Sequence, residues 1–375
     1  MVILNDKLLL RENPFKIKDK KVIVRVDYNV EIKNNKIQDE YRIKESLETI
    51  RFLIKNRAKQ IILITHLGRP KKRELKYSTK KLIPYLRKYL KNIEFFDWKP
   101  GIKLPEKPLI LLENIRFFKE EEKNDLRFAK KLSKIGDVFI NEGFSVSHRK
   151  HASTYGISKF LPTYFGFKFE KEIKNLNIVF EYIKKRKNIG VIIGGIKFET
   201  KIKLIERFLK KANVIILIGG ISNTLLKAKG FEVGKSLIDE EYLNYVSKIY
   251  STKLLLPFDF ITQNGHRYLG EIKKDDIIYD TGKESINIFL DELQKNDLVI
   301  WNGPLGKIED KKYKKGTLDF AKGLLKIKNK KIIGGGETLI IANKIFKNDK
   351  NTFISTGGGA MLYYLAYENL PIFDK

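Results

Sequence analysis

The stretch VIVRVDYN (22–29) carries a continuous β-branched apolar run that ends abruptly in Asp27 and Asn29. An apolar run without polar alternation suits a strand buried on both faces, as in a parallel sheet. The pattern recurs along the chain: IILITHLGRP (61–70), LILLEN (109–114), DVFINEGF (137–144), VIIGG (191–195), VIILIGG (214–220), LLLPFD (254–259), LVIWNGP (298–304), KIIGGGET (331–338) and FISTGGG (353–359). Segments with helical spacing separate many of these runs. Between Arg42 and Lys55, the residues Ile43, Leu47, Ile50 and Ile54 share one predicted helical face. Ser78 is placed to cap a helix carrying Leu82, Leu86 and Leu90, with Pro84 early inside it. Strand and helix in alternation predict an α/β fold of doubly wound, mostly parallel sheets flanked by helices.

One open sheet rarely holds so many strands, so they divide between two Rossmann-like lobes. The chain has 375 residues, enough for two cores. The expected boundary lies in STYGISKFLPTYFGF, where Pro162 and Gly166 punctuate the chain, with a hinge at about 153–170. Domain one is then 1–160 and domain two 161–360, with a cleft between them. A helix is expected from about Phe169 to Lys184, with Ile173, Leu176, Phe180 and Ile183 inward. The last segment, 361–375, is expected to return toward the first lobe.

The two sets of strand ends differ in chemistry. Those of the first lobe finish in Arg25, Asp27, Asn29, His66, Arg69, Glu113, Arg116, His148 and Arg149. Those of the second finish in glycine clusters: Gly194–Gly195, Gly219–Gly220, Gly334–Gly336 and Gly357–Gly359. Ligands of open parallel sheets bind at the carboxyl ends of strands. The first lobe should therefore clamp an anion with side chains. The second should cradle phosphates with backbone amides and helix N-termini. A lone arginine is more often a surface ion pair and a lone glycine cluster a tight turn. Several of each, just past apolar strands, exceed what those roles require. His66 reads equally well as a ligand or as a hydrogen-bonded strand-end residue. His151 and His266 read as structural.

Composition excludes several alternatives. There is no cysteine, and hence no disulfide, thiolate nucleophile or cysteine-bound metal. Asn5, Asp6 and Lys7 break the first apolar residues, and no apolar run approaches the ~18–20 residues of a membrane span. The chain is therefore expected to be cytoplasmic, with no membrane partner. The net charge of +30 is spread over short lysine groups along the whole chain, with no aromatic-studded RNA-binding motif. It reads as a solvated surface that draws in anions, with no specific nucleic acid expected. GFEVGKS (230–236) has three residues between its glycines where a phosphate loop needs four, no G-x-G-x-x-G occurs, and a single DTG (280–282) lacks the second aspartate of a protease pair. All three read as ordinary turns.

The motifs RVDYN, HLGRP, LLENIRF, SHRKHAS, IGGIKFETK, WNGPLG with a later Glu, IGGGET and STGGGA, in this order from about residue 20 to 370, resemble the phosphoglycerate kinase family. The resemblance implies phosphoryl transfer between 1,3-bisphosphoglycerate and ADP, giving 3-phosphoglycerate and ATP, with Mg²⁺, by a monomer. It implies an acid-substrate site of Asp27, Asn29, Arg42, His66, Arg69, Arg116 and Arg149. It implies a nucleotide site of Gly195, Lys197, Lys201, Gly219, Asn302, Glu309, Gly334, Gly335, Gly336, Glu337 and Thr338, with Glu337 toward the metal. Catalysis would rest on Arg42, Lys197, Lys201 and Gly358, with Gly357 and Gly359 beside it. Guanidinium forks match phosphate and carboxylate bidentately. Some positions depart from the family pattern: Glu337 stands for Asp, Thr200 for Asp, Glu142–Gly143 for Asp-Ala, Ser145–Val146 for Gly-Thr and Ile221 for Gly, and the 259–280 segment is short. Thr200 and Ile221 motivate a second reading, a non-catalytic nucleotide-binding or interaction protein.

Overall fold

The computed structural model describes residue 2 and residues 4–34, 36–38 and 40–374. The chain divides into two compact units, one of residues 1–174 with 367–375 and one of residues 175–366. The division falls inside a long helix, Phe167–Lys184.

The first unit contains β1 (Lys21–Arg25), a small hairpin of β2 (Ile32–Lys33) and β3 (Lys36–Ile37), β4 (Gln60–Ile64), β5 (Ile93–Phe96), β6 (Leu109–Leu112), β7 (Val138–Asn141) and β8 (Thr163–Phe165). Apart from the hairpin, these strands form one parallel sheet in the order β5-β6-β4-β1-β7-β8. Residue parity explains why the runs are apolar throughout. Val22, Val24, Ile61, Leu63, Val138 and Ile140 enter one core, while Ile23, Ile62, Ile64, Ile110 and Phe139 enter the core on the other face.

The second unit contains β9 (Ile189–Ile193), β10 (Val214–Leu217), β11 (Leu254–Leu255), β12 (Asp259–Thr262), β13 (Gly265–Tyr268), β14 (Ile278–Thr281), β15 (Leu298–Asn302), β16 (Lys330–Gly334) and β17 (Thr352–Ile354). Its parallel sheet runs β11-β10-β9-β15-β16-β17, which is the Rossmann 3-2-1-4-5-6 order. The strands β13-β12-β14 form a separate antiparallel sheet.

Each apolar run quoted above contains a strand of one of the two parallel sheets. The predicted helix over 42–55 is broken at Ser46, whose hydroxyl donates to the Ile43 carbonyl at 2.8 Å. Ile43, Leu47 and Ile50 are buried as expected, but Ile54 is exposed and Leu53 is buried in its place. Ser78 accepts the Lys80 N–H on its hydroxyl, but it caps a 3-10 turn, Thr79–Leu82; the α-helix that follows is only Ile83–Leu86, with Pro84 in its first turn, and the expected Leu90 lies beyond it. In the stretch expected to hold the domain boundary, Ala152–Gly156 is a buried π-helical turn and Thr163–Phe165 is the edge strand β8. In the first unit the C-terminal segment packs Phe373 against Phe165, with tilted rings 5.2 Å apart, and Tyr155 donates its hydroxyl to the Asp374 carbonyl at 3.2 Å. Asp280 of the DTG turn is buried and accepts the N–H groups of Thr281 and Gly316.

Candidate active site

Two sets of side chains gather at strand carboxyl ends, one in each unit. In the first unit, Asp27 follows β1 and Ser145 follows β7, neighbouring strands where the strand order reverses. Crevices form at such switch points. Ser145 Oγ donates to Asp27 Oδ2 at 2.6 Å, and Arg42 Nη1 donates to the same oxygen at 2.5 Å. Burial would push the Asp27 carboxyl up, but Arg42, Lys168 and the Ser145 hydrogen bond hold it well below the usual carboxylate range. Asn29 accepts the Gly68 N–H on its side-chain oxygen at 2.8 Å, which ties the loop after β1 to the loop after β4.

The cations form a layered cluster. Arg25, fully buried, donates to Ser153 Oγ at 2.9 Å, to the Val26 carbonyl at 2.6 Å and to His66 Nδ1 at 3.1 Å. An arginine only donates, so His66 Nδ1 accepts and its proton sits on Nε2. Burial, then Arg25 and Arg116, push the His66 imidazolium far down, so His66 is a neutral donor. Arg116 Nη1 donates to the Gly68 carbonyl at 2.9 Å, and its Nε lies 3.1 Å from Glu122 without hydrogen-bond alignment. Burial lowers the Arg116 guanidinium, Glu122 opposes this, and Arg149 and Arg69 add repulsion. Arg69 and Arg149 are exposed. Mutually repelling guanidinium groups at one strand edge are satisfied by a bound polyanion. The unit thus brings Asp27, Arg42, His66, Arg69, Arg116 and Arg149 together.

Sequence reading missed the support beneath this cluster. Glu121, buried, accepts the Ser153 hydroxyl at 2.6 Å and its N–H at 2.8 Å, and so holds the serine that orients Arg25. Lys168, in the first turn of the Phe167–Lys184 helix, is buried and its ammonium has no hydrogen-bond partner among the described residues. Its backbone N–H donates to Glu142 at 3.2 Å. A lysine among helix-spaced residues carries no sequence signal of burial. Glu142, read only as a departure from a family pattern, also accepts the Thr49 hydroxyl at 2.8 Å, and burial pushes its carboxyl up to about 8. His151, read as structural, faces the same cations. Burial, then Arg25, Arg116 and Arg149, lower it to about 3.

In the second unit the glycine turns follow β9, β10, β16 and β17, all at the carboxyl edge of one sheet. Gly219–Gly220, Gly335–Gly336 and Gly358–Gly359 open the helices Gly220–Ala228, Gly336–Ile345 and Gly359–Tyr367. Their first N–H groups lack intrahelical partners and carry the positive dipole end. Lys201 donates to the Gly194 carbonyl, and Gly195 at φ +111 leaves no space for a Cβ beside the Lys201 ammonium. Burial pulls Lys201 down to about 8, with Glu337 opposing. Lys197 is exposed, with the Thr200 hydroxyl donating to its carbonyl at 3.3 Å.

At the switch between β9 and β15, the Gly194 N–H donates to the Asn302 carbonyl at 2.7 Å. The buried Asn302 side-chain NH₂ has no hydrogen-bond partner and faces the Gly334–Gly335 turn. It is an orphaned donor where a ligand acceptor would sit. Thr338 is committed inward, its hydroxyl accepting the Gly303 N–H at 3.1 Å. Glu337 lies in the first turn of Gly336–Ile345, and its carboxyl is raised by burial and by the neighbouring charge of Glu309. A carboxylate beside a phosphate cradle fits a divalent cation carried with a nucleotide. Among the described residues no cluster of three or more His, Cys, Asp or Glu forms a protein-only metal site. Ile221 is fully buried, and its N–H still donates to the Gly195 carbonyl at 2.9 Å, so the departure from glycine there keeps the turn.

The fold and these sites define a two-unit α/β phosphotransferase. The phosphoglycerate kinase family model matches residues 13–368. The phosphoglycerate kinase of Wigglesworthia glossinidia brevipalpis is 38% identical over 98% of this chain and 96% of its own length. That of Borreliella afzelii is 39% identical over 94% and 95%. The phosphoglycerate kinase structure from Pyrococcus horikoshii superposes with a TM-score of 0.85 at 30% identity, covering 98% of each chain. That from Coxiella burnetii gives 0.79 at 30% identity over 96% of each. The chain belongs to the phosphoglycerate kinase family.

Proposed function

We propose that the protein is the glycolytic enzyme that passes a phosphoryl group reversibly between 1,3-bisphosphoglycerate and ADP, giving 3-phosphoglycerate and ATP. The observation that carries this reading is the pairing of chemistries: converging guanidinium groups at one parallel sheet edge and helix-opening glycine amides at the other. Arg69, Arg116 and Arg149, with neutral His66, bind the phosphate and carboxylate of the acid. Asp27 and Asn29 orient its hydroxyl. In the ATP-forming direction a β-phosphate oxygen of ADP attacks the acyl phosphorus in line, and the bond to the carboxyl oxygen breaks, releasing the carboxylate. Arg42, Lys197, Lys201 and the amides of Gly357, Gly358 and Gly359 neutralise the charge on the group in flight. Gly195, Gly219, Gly334, Gly335 and Gly336 cradle the nucleotide phosphates, Asn302 donates to the nucleotide, and Glu309 holds the ribose. Thr338 acts through the Gly303 turn. Glu337 would hold Mg²⁺, which when bound spreads phosphate charge.

The half-sites lie on different units, so transfer requires closure, and we place the hinge at about 153–170. Closure also keeps water from the acyl phosphate. The same reading makes the protein a cytoplasmic monomer. Among the described residues no helix is long and apolar enough to cross a membrane. A non-catalytic role has no need of the full arginine set. The test is coupled ATP consumption with 3-phosphoglycerate and MgATP against a control lacking the acid. Turnover that depends on the acid is expected, and its absence in folded protein overturns the reading.

A further inference from the structure

We infer that the first unit carries a second anion site, separate from the arginine cluster, that takes a polyphosphate chain such as that of a nucleoside triphosphate or free inorganic polyphosphate. The site is a cavity of about 480 Å³, within the range of ~300–1000 Å³ typical of small-molecule pockets. Lys21, Lys103, Lys131 and Lys134 line it. They arrive from three segments: the first residue of β1, the loop between β5 and β6, and the end of the helix Leu126–Ser133.

These four ammonium groups form no ion pair and no side-chain hydrogen bond among the described residues. Other lysines of the first unit do pair, such as Lys107 with Glu94 at 3.0 Å and Lys171 with Glu45 at 3.1 Å. The carboxylate nearest in sequence to the helix end, Asp137, accepts the Lys21 backbone N–H at 2.8 Å. Like charges converging without a counter-charge favour an anionic occupant. Flexible point charges suit a phosphate chain better than a planar carboxylate.

The cavity also has an apolar side. Trp98 is 2% exposed and its indole N–H has no hydrogen-bond partner, so a buried donor is unsatisfied beside the cavity. Ile102, 47% exposed, offers apolar surface at the rim. A base or sugar fits such a wall, which is why a nucleotide and a bare chain are the two sources to separate. The site is distinct from the acid site: Lys21 opens β1 and Arg25 closes it, roughly 13 Å further along the strand.

The chain supplies its own reporters, because its two tryptophans, Trp98 and Trp301, lie one in each unit. Indole ¹H–¹⁵N correlation spectra of the full chain, assigned with W98F, are recorded while inorganic tripolyphosphate or ATP is titrated. A saturable shift of the Trp98 signal is expected. The double variant K131A/K134A should weaken it by roughly 2- to 30-fold, as expected from losing two exposed charge contacts, with catalytic turnover unchanged. Tighter binding of ATP than of tripolyphosphate supports the site and identifies a nucleotide. Equal binding supports it and identifies the chain alone. No saturable Trp98 shift with either probe, or an undiminished shift in the double variant, overturns the site.

Discussion

Arg42 and Asp27 form an asymmetric ion pair, with the guanidinium partly exposed and the carboxylate fully buried, joined Nη1 to Oδ2 at 2.5 Å. The buried partner fixes the cation while leaving part of it open to solvent. Removing one preorganised transition-state cation typically lowers turnover ~100–1000-fold. Arg42→Ala is therefore expected to lose turnover by about that factor, in steady-state assays at saturating 3-phosphoglycerate and MgATP. Near-normal turnover would take Arg42 out of the mechanism.

Lys201 binds a phosphate only as an ammonium, and burial has drawn its pKa down to about 8. The charge is present below pH 8 and is lost as pH rises through that value. A bound anion favours the ammonium, so ATP binding above pH 8 should take up a proton, and affinity should fall toward pH 9.5. Calorimetry in two buffers of different ionisation enthalpy measures the proton directly. Lys201→Arg keeps its charge and should flatten the profile. An unchanged affinity across this range in the native protein would count against Lys201 as a phosphate ligand.

Gly358 sits at φ +49 with open space where a Cβ would project. Alanine there strains the backbone by roughly 1–2 kcal/mol, and its methyl enters the proposed phosphoryl cradle. Gly358→Ala should shift the urea midpoint slightly yet lower turnover about 100-fold through misplaced reactants. Full activity in the variant would remove these amides from the transfer step.

Glu142 holds a proton in the folded state up to about pH 8, because burial raises its carboxyl from the ordinary 4.5. The unfolded chain releases that proton near 4.5. Folding stability therefore falls as pH rises from about 4.5 to about 8, by ~1.4 kcal/mol for each unit by which the pKa is raised. Glu142→Gln cannot ionise and keeps an oxygen for Thr49 and Lys168. Its stability relative to the native chain should rise between pH 5 and pH 8 in urea titrations. Parallel pH profiles for the two proteins would show that Glu142 is ionised in the fold.

Transfer across two half-sites predicts compaction. Small-angle scattering should record a smaller radius of gyration with 3-phosphoglycerate and a non-hydrolysable ATP analogue together than with either alone. An unchanged radius would argue against closure about the 153–170 segment.

Ten of the twelve described parallel strands were legible in order because a strand covered on both faces needs every residue apolar, as Val22, Ile23 and Val24 illustrate, whereas the edge strands Ile93–Phe96 and Thr163–Phe165 carry no such run. The polar or glycine break after each run marked candidate site residues for a related reason, since a parallel sheet exposes its carboxyl edge to ligand. The antiparallel strand Gly265–Tyr268 stayed unread because it is mostly exposed and lacks such a run. Partnership was beyond reading altogether. That Ser145 meets Asp27 across 118 positions, that Glu121 steadies Arg25 through Ser153, and that Lys168 is buried rather than solvated are outcomes of packing. Local pattern encodes which faces are apolar. Contacts between distant segments, and the desolvation that moves Lys201 and Glu142 from their ordinary pKa values, exist only once the chain has closed around them.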